Sequence, residues 1–197
     1  MGSLHQVSIR TMLKIIMGII AFFLIVSIVR VYSSTNEMET KLEIQSSETI
    51  PQAMNYINLK INVIQIQQWL TDISATRGAK GYDDGYDEAE KYYKAADALL
   101  DQMIREQSKN PQKKSELETF KRNLEEYYGI GKKMAAAYIA GGPEEGNVWM
   151  AKLDPYAETL SDQLNGWSDE HIAKVKSDSR FWWKMPIQPN IRILSFR

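Results

Sequence analysis

Trp69, Asp72 and Thr76 are spaced three and four residues apart, so on a helix they share one face, and Arg77 follows about 100° further round with a stem long enough to reach back. A carboxylate beside a guanidinium is the pair that holds a small zwitterionic or anionic ligand, Arg77 supplying a forked contact to an acidic group. Trp149, in the connection that follows the glycines at 141 and 142, is a further ligand-binding candidate. The same side chains could instead pair with one another or with neighbouring helices and serve only packing specificity. Both readings stand at this level.

Next in the chain, GYDDGYDEAE places Asp83, Asp84, Asp87 and Glu88 within six positions. These four are the metal candidates, but they lack the spaced oxygen ligands and twelve-residue loop of an EF-hand. Helix capping and solvation account for them more simply, and no metal or other cofactor is expected. His5 and His171 fall at opposite ends of the chain, too far apart in the expected layout to share an ion, and His171 reads as a solvated helix residue. Catalytic patterns are missing as well: there is no nucleophile elbow, no GxxxxGK loop, no GxGxxG turn and no HExxH. GIGKKMAA at 129–136 looks like a phosphate turn, yet it lies in a helical stripe with no strand before it. The chain is therefore expected not to be an enzyme.

The 197 residues contain 24 Lys+Arg against 25 Asp+Glu, a balance that excludes a generally basic nucleic-acid binder. Residues 1–30 hold three positive charges and no negative one, residues 171–197 hold six and one, and the middle holds fifteen and twenty-four. An acidic centre is thus set between two basic ends. Cysteine is absent, which removes disulfides, thiolate metal sites and a thiol nucleophile.

Residues 12–31 are apolar apart from Lys14 and Arg30 near the ends, whose stems can extend toward headgroups. About 20 such residues cross the hydrocarbon of a bilayer. A signal peptide is the competing reading, but no small-x-small cleavage pattern stands out after Val26; a buried core helix is the other. Arg10 and Lys14 precede the span, whereas Glu37, Glu39 and Glu43 follow it. The positive-inside rule then leaves residues 1–11 in the cytoplasm and exports the rest, a single-pass arrangement in a bacterial inner membrane with a periplasmic domain.

From 42 to 180 there is no strand-like alternation, and breakers fall at Pro51, 78–85, the pair Asn110–Pro111, and 141–147. Between them lie four apolar stripes with a 3,4 rhythm. The first is 59, 63, 66, 70 and 73, which Ile57, Ile61 and Ile64 are expected to widen; the second is 89, 92, 96, 99 and 103. The third is 117, 120, 124, 127, 131, 134 and 138, and the fourth 153, 156, 160, 164 and 167. None can be buried by its own helix, so an all-α, membrane-anchored, antiparallel up-down-up-down four-helix bundle over 32–180 is expected. Asp87 with Glu90 has capping-box spacing, Asp154–Pro155 has the form of a helix start, and Pro51 is expected to bend a long helix.

Parity puts the turn at 78–86 and the connection at 141–152 at the far end from the membrane, and returns Trp167 and the tail toward it. In 181–197, Phe181, Trp182, Trp183, Lys184 and Arg192 suit a membrane interface or a docking surface for a partner.

Short basic start, first span and helical bundle, with IQQWLTDISATRG at 66–78 and GYDDGYDEAEKYY after it, resemble the N-terminal half of a methyl-accepting chemotaxis receptor. The likeness covers roughly residues 1–167. It implies a homodimer whose periplasmic bundle senses a small molecule or a binding protein and shifts one membrane helix against another. A second span, a HAMP linker and a cytoplasmic signalling coiled coil are not found after the fourth stripe, so transmission by that route is not expected. Two functions follow: a chemoreceptor-like sensory or interaction module, or a non-catalytic accessory subunit stabilising a larger membrane complex. Partners are membrane lipid, a second copy or complex subunits, and a small ligand; nucleic acid is not among them.

Overall fold

Helix α1, Ile9–Ile44, buries none of its side chains, and its apolar residues stand open, Phe23 being 66% exposed and Ile25 62%. By length and composition it is the one helix among the described residues apolar enough to cross a membrane. The computed structural model describes residues 8–183, and no strand occurs among them. It divides into two compact units, Met1–Glu48 and Thr49–Arg197.

A π-turn, Gln45–Thr49, joins α1 to α2, Ile50–Thr76. Pro51 opens α2 directly after this turn, inside helical backbone that runs without a break from Ile9 to Thr76, so its missing amide withdraws one donor from the ladder. Its ring would crowd the carbonyl four residues back, and the wider π-turn lies at that point. The irregularity expected at Pro51 therefore takes the form of a wide turn.

Three more helices complete the second unit: α3, Gly85–Glu106; α4, Pro111–Gly141; and α5, Pro143–Trp183. Asn110 caps α4 by accepting from the Lys113 amide at 3.1 Å, with Pro111 beside it in the first turn. Two expected starts are corrected. Helix α3 begins at Gly85, so Asp87 lies inside its first turn rather than at its cap. The cause is tertiary: a Cβ on Gly85 would fall 2.6 Å from Ile73 Cβ and 2.8 Å from the Trp69 carbonyl oxygen, so only glycine lets α3 start beneath the end of α2. Helix α5 begins at Pro143, and Pro155 lies within it. Gly142 alone, at φ +71°, makes the turn from α4 to α5. Gly146 then faces the Tyr138 ring, which a Cβ would meet at 2.3 Å, and Tyr138 donates to Asn147 at 2.6 Å.

The core takes one stripe from each helix. Leu59, Val63, Ile66, Leu70 and Ile73 meet Ala89, Ala96, Leu100 and Met103 from α3, the 117–134 stripe of α4, and Leu153, Leu160, Leu164 and Trp167 of α5. Burial of each large side chain contributes about 1.5–3 kcal/mol. Helix α2 touches each of the other three. Its approach to α4 is close enough that a Cβ on Gly131 would come within 2.7 Å of Leu70 Cδ1, which explains the second glycine of GIGKKMAA as packing. Between α3 and α4, Tyr93 and Tyr128 stack at 4.3 Å and Lys121 bridges Asp97 and Asp101.

The expected widening of the α2 stripe does not occur. Ile61 and Ile64 are 48% and 50% exposed, and Ile57 is only half buried. Leu59 through Ile73 already fill the inward face, and the second set points away from it.

Candidate functional site

Arg77 ends α2 in a left-handed conformation, φ 53°, the only non-glycine residue among those described with positive φ. The Gly78 amide donates to the Ile73 carbonyl at 3.1 Å and the Arg77 amide to that of Ser74 at 3.3 Å, a paired closure that normally takes glycine at the turning residue. An L side chain in this region stores strain of order 1 kcal/mol or more. The turn sends the guanidinium across to α4, where Nη2 donates to the Ile139 carbonyl at 3.2 Å. That carbonyl belongs to the last turn of α4, whose acceptors lack helical partners and whose dipole favours a cation.

The other sequence candidates do not converge on Arg77. Trp69 is half buried against the core, and its Nε1 is enclosed without a hydrogen-bond partner. Asp72 is exposed on the outer face of α2, in a shallow groove with Ile64, Gln68 and Ala75. The Thr76 hydroxyl turns to backbone, 3.1 Å from the Asp72 carbonyl oxygen and 3.2 Å from that of Tyr82. Trp149 is held between two ammonium groups, Lys152 at 4.1 Å and Lys133 at 5.4 Å from its ring centre.

What Arg77 does border is a cavity of about 280 Å³ where α2, α4 and α5 meet. Thr71, Ser74 and Ala75 form one wall, Met134 and Tyr138 a second, and Gly142, Pro143 and Met150 a third. Arg77 is the one charged side chain of the lining. The Ser74 hydroxyl donates to the Leu70 carbonyl at 2.5 Å, which keeps it from acting as a free donor into the cavity. Met134 and Tyr138 were legible as stripe residues; Met150 carried no signal, because its place depends on where α5 starts.

A second feature runs along the outside of α2. Ile50, Met54, Ile57, Ile61, Ile64, Gln68, Thr71 and Ala75 alternate four and three apart. This is the heptad spacing of a coiled-coil seam, on a face that the other three helices leave largely exposed from Ile50 to Gln68, while Thr71 and Ala75 at its end also border the cavity. Ile50 and Met54 are 43% and 47% exposed, in line with Ile61 and Ile64. The flanking positions 51, 53, 58, 60, 65, 67, 72 and 74 carry only Lys60 and Asp72 as charges.

At the opposite end of the four helices, His171 is half buried and stacked on Tyr56 at 4.3 Å, not solvated as expected. Its Nδ1 is enclosed without a partner, and burial lowers the imidazole pKa. Burial and nearby carboxylates push the Tyr56 phenol up to about 12. Lys113 covers the Trp167 ring at 4.3 Å.

Asp83 accepts from the Gly81 amide at 3.3 Å, and Glu88 pairs with Lys91 at 3.0 Å, while Asp84 precedes α3 and Asp87 lies in its first turn. Among the described residues no three carboxylate or imidazole groups gather closely enough to hold a metal ion. Phe181, Trp182 and Trp183 belong to the last turn of α5, and Lys184, Arg192 and His5 lie outside the described residues. The chain matches no protein-family profile, no curated protein and no solved structure.

Proposed function

We propose that this chain is a membrane-anchored, non-catalytic sensory or interaction module of chemoreceptor-like build, a periplasmic up-down-up-down four-helix bundle that works as a pair of identical copies. The uncovered heptad stripe of α2 carries this reading. Exposed large apolar side chains at strict 4,3 spacing have no use within one copy, and the near absence of charge on both flanks lets two like helices approach without repulsion. Gln68 at a seam position is the polar group that fixes register in such pairs, at some loss of stability. A span before the seam orients two copies in parallel and concentrates them in a plane. Because α2 also touches the other three helices, a change inside one copy reaches the seam through a single element.

Cross-linking tests the reading directly, since the chain has no cysteine of its own. In native membranes, Ile61→Cys and Ile64→Cys should each give an intermolecular disulfide under mild oxidation. Lys94→Cys, on the exposed face of α3, should not. Adding Ile61→Glu to the Ile64→Cys chain should abolish the cross-link without unfolding the helices. Absence of seam cross-links, or equal cross-linking at position 94, would overturn the pairing; stoichiometric recovery of a different membrane protein through the same cysteines would replace it with an accessory-subunit role.

A further inference from the structure

We infer that the cavity bordered by Arg77 is a binding site for a small monoanionic carboxylate with an aromatic or branched apolar body, an inference that rests on the sensory reading above. Size sets the first limit. An engineered apolar cavity of about 150 Å³ takes benzene, so the 280 Å³ here suits about ten non-hydrogen atoms. The walls set the second. Met134, Met150, Tyr138, Ala75 and Pro143 offer apolar and polarisable surface, to which an aromatic ring or branched chain is matched.

Charge sets the third limit. Arg77 is the single ionised group of the lining, and it commits one nitrogen to the Ile139 carbonyl, which fixes the guanidinium plane while leaving other N–H groups free for a carboxylate. Asp72, the residue that would have received an ammonium, faces the outer groove of α2 instead. Of the zwitterionic and anionic ligands expected from the sequence, the lining, with a guanidinium and no carboxylate, matches the anionic one.

Position 77 adopts the conformation that glycine holds without strain, yet carries arginine. The guanidinium makes one solvent-exposed hydrogen bond at this corner, to Ile139, and that bond is of small value.

Full-length protein in nanodiscs, titrated calorimetrically with 3-phenylpropionate, 3-phenylpropionamide, 3-phenylpropylamine and phenylalanine, tests the inference. The acid should bind saturably, the amide at least tenfold more weakly, and the amine and amino acid not measurably. Arg77→Gly, which suits the backbone at 77, should keep the melting temperature of the unliganded protein within a few degrees while bringing acid and amide to equal affinity. Arg77→Lys should restore part of the preference for the acid. Equal binding of acid and amide to the unmutated protein, or no binding of any compound, would overturn the proposal. The Ile61→Cys cross-link is read on the same preparations: cross-linking without acid binding sinks the cavity alone, whereas loss of the cross-link sinks the paired module beneath it.

Discussion

At the scale of single residues, glycines separate packing from chemistry. Gly85→Ala must move Ile73 Cβ and the Trp69 carbonyl, neither of which is the free end of a flexible chain, and should cost about 1–3 kcal/mol in urea denaturation. Gly129→Ala and Gly166→Ala meet nothing within 4 Å inside helices and should each stabilise by about 0.5–1 kcal/mol. A gain at 85 or a loss at 166 would contradict the packing described. His171 is the residue that couples stability to pH. Its folded pKa is lowered, first by burial and further by Lys113 and Lys174, against Glu170. The neutral ring is therefore the form the fold favours, and the unfolded chain takes up a proton first. The stability this ring contributes is fully present above its ordinary value of 6.5 and is lost as pH falls from there through the lowered value. His171→Phe keeps a ring against Tyr56 and should flatten that part of the profile in denaturation midpoints taken between about pH 7.5 and 5. An unchanged slope would assign the dependence to other groups. Of these residues the sequence conveyed little: an unpaired histidine near a helix end looks solvated until Tyr56, fully 115 positions earlier, is brought against it.

At the scale of elements, 3,4 spacing carried most of the fold. Leu117, Phe120, Leu124, Tyr127, Gly131 and Met134 are all buried as their stripe requires, and Leu124→Ala should cost about 2–5 kcal/mol through lost burial and the cavity left behind. A loss below about 0.5 kcal/mol in chemical denaturation would remove Leu124 from the core. Hydrophobic spacing cannot say what a stripe faces, however. Ile61 and Ile64 have the same side chains as Ile66 and Ile73, and only the placement of α3, α4 and α5 shows that one set is enclosed and the other left open. Proline was ambiguous for a related reason. Pro143 and Pro155 both have the form of a first-turn residue, and the contact of Gly146 with Tyr138 settles the start at 143. Pro155 then interrupts a long helix, with Thr159 donating to its carbonyl at 2.8 Å. Pro155→Ala restores an amide and removes a ring clash, so it should raise the melting temperature, by an amount worth about 1–3 kcal/mol. The cavity escaped the sequence because it is made by three helices and one turn, and Arg77, the single candidate it shares with the spacing argument, arrives there through a backbone angle that arginine rarely adopts.

At the scale of the whole molecule, the proposed direction across the membrane rests on a few charges. Arg10 and Lys14 lead the apolar stretch with no acidic residue near them, whereas Arg30 at its other end is followed by Glu37, Glu39 and Glu43. Each Lys or Arg held on the cytoplasmic side biases insertion, while acidic residues count for little, so the balance is two cations against one and favours the start of the chain inside. On the proposed orientation the acidic middle, with fifteen positive and twenty-four negative charges, lies outside. Absence of cysteine makes the orientation readable from one substitution. Ser108 is exposed in the turn between α3 and α4, so Ser108→Cys in intact bacterial cells should react with a membrane-impermeant maleimide as fully as after permeabilisation. Replacing Arg10 and Lys14 by glutamine removes the leading cations and leaves Arg30 as the stronger flank, and the share of Ser108→Cys labelled in intact cells should fall. Labelling only after permeabilisation in the otherwise unchanged chain would place the four helices in the cytoplasm. The heptad seam and the Arg77 cavity could still pair and bind there, but a ligand from outside the cell could not reach them, and the sensory reading would give way to an intracellular interaction role.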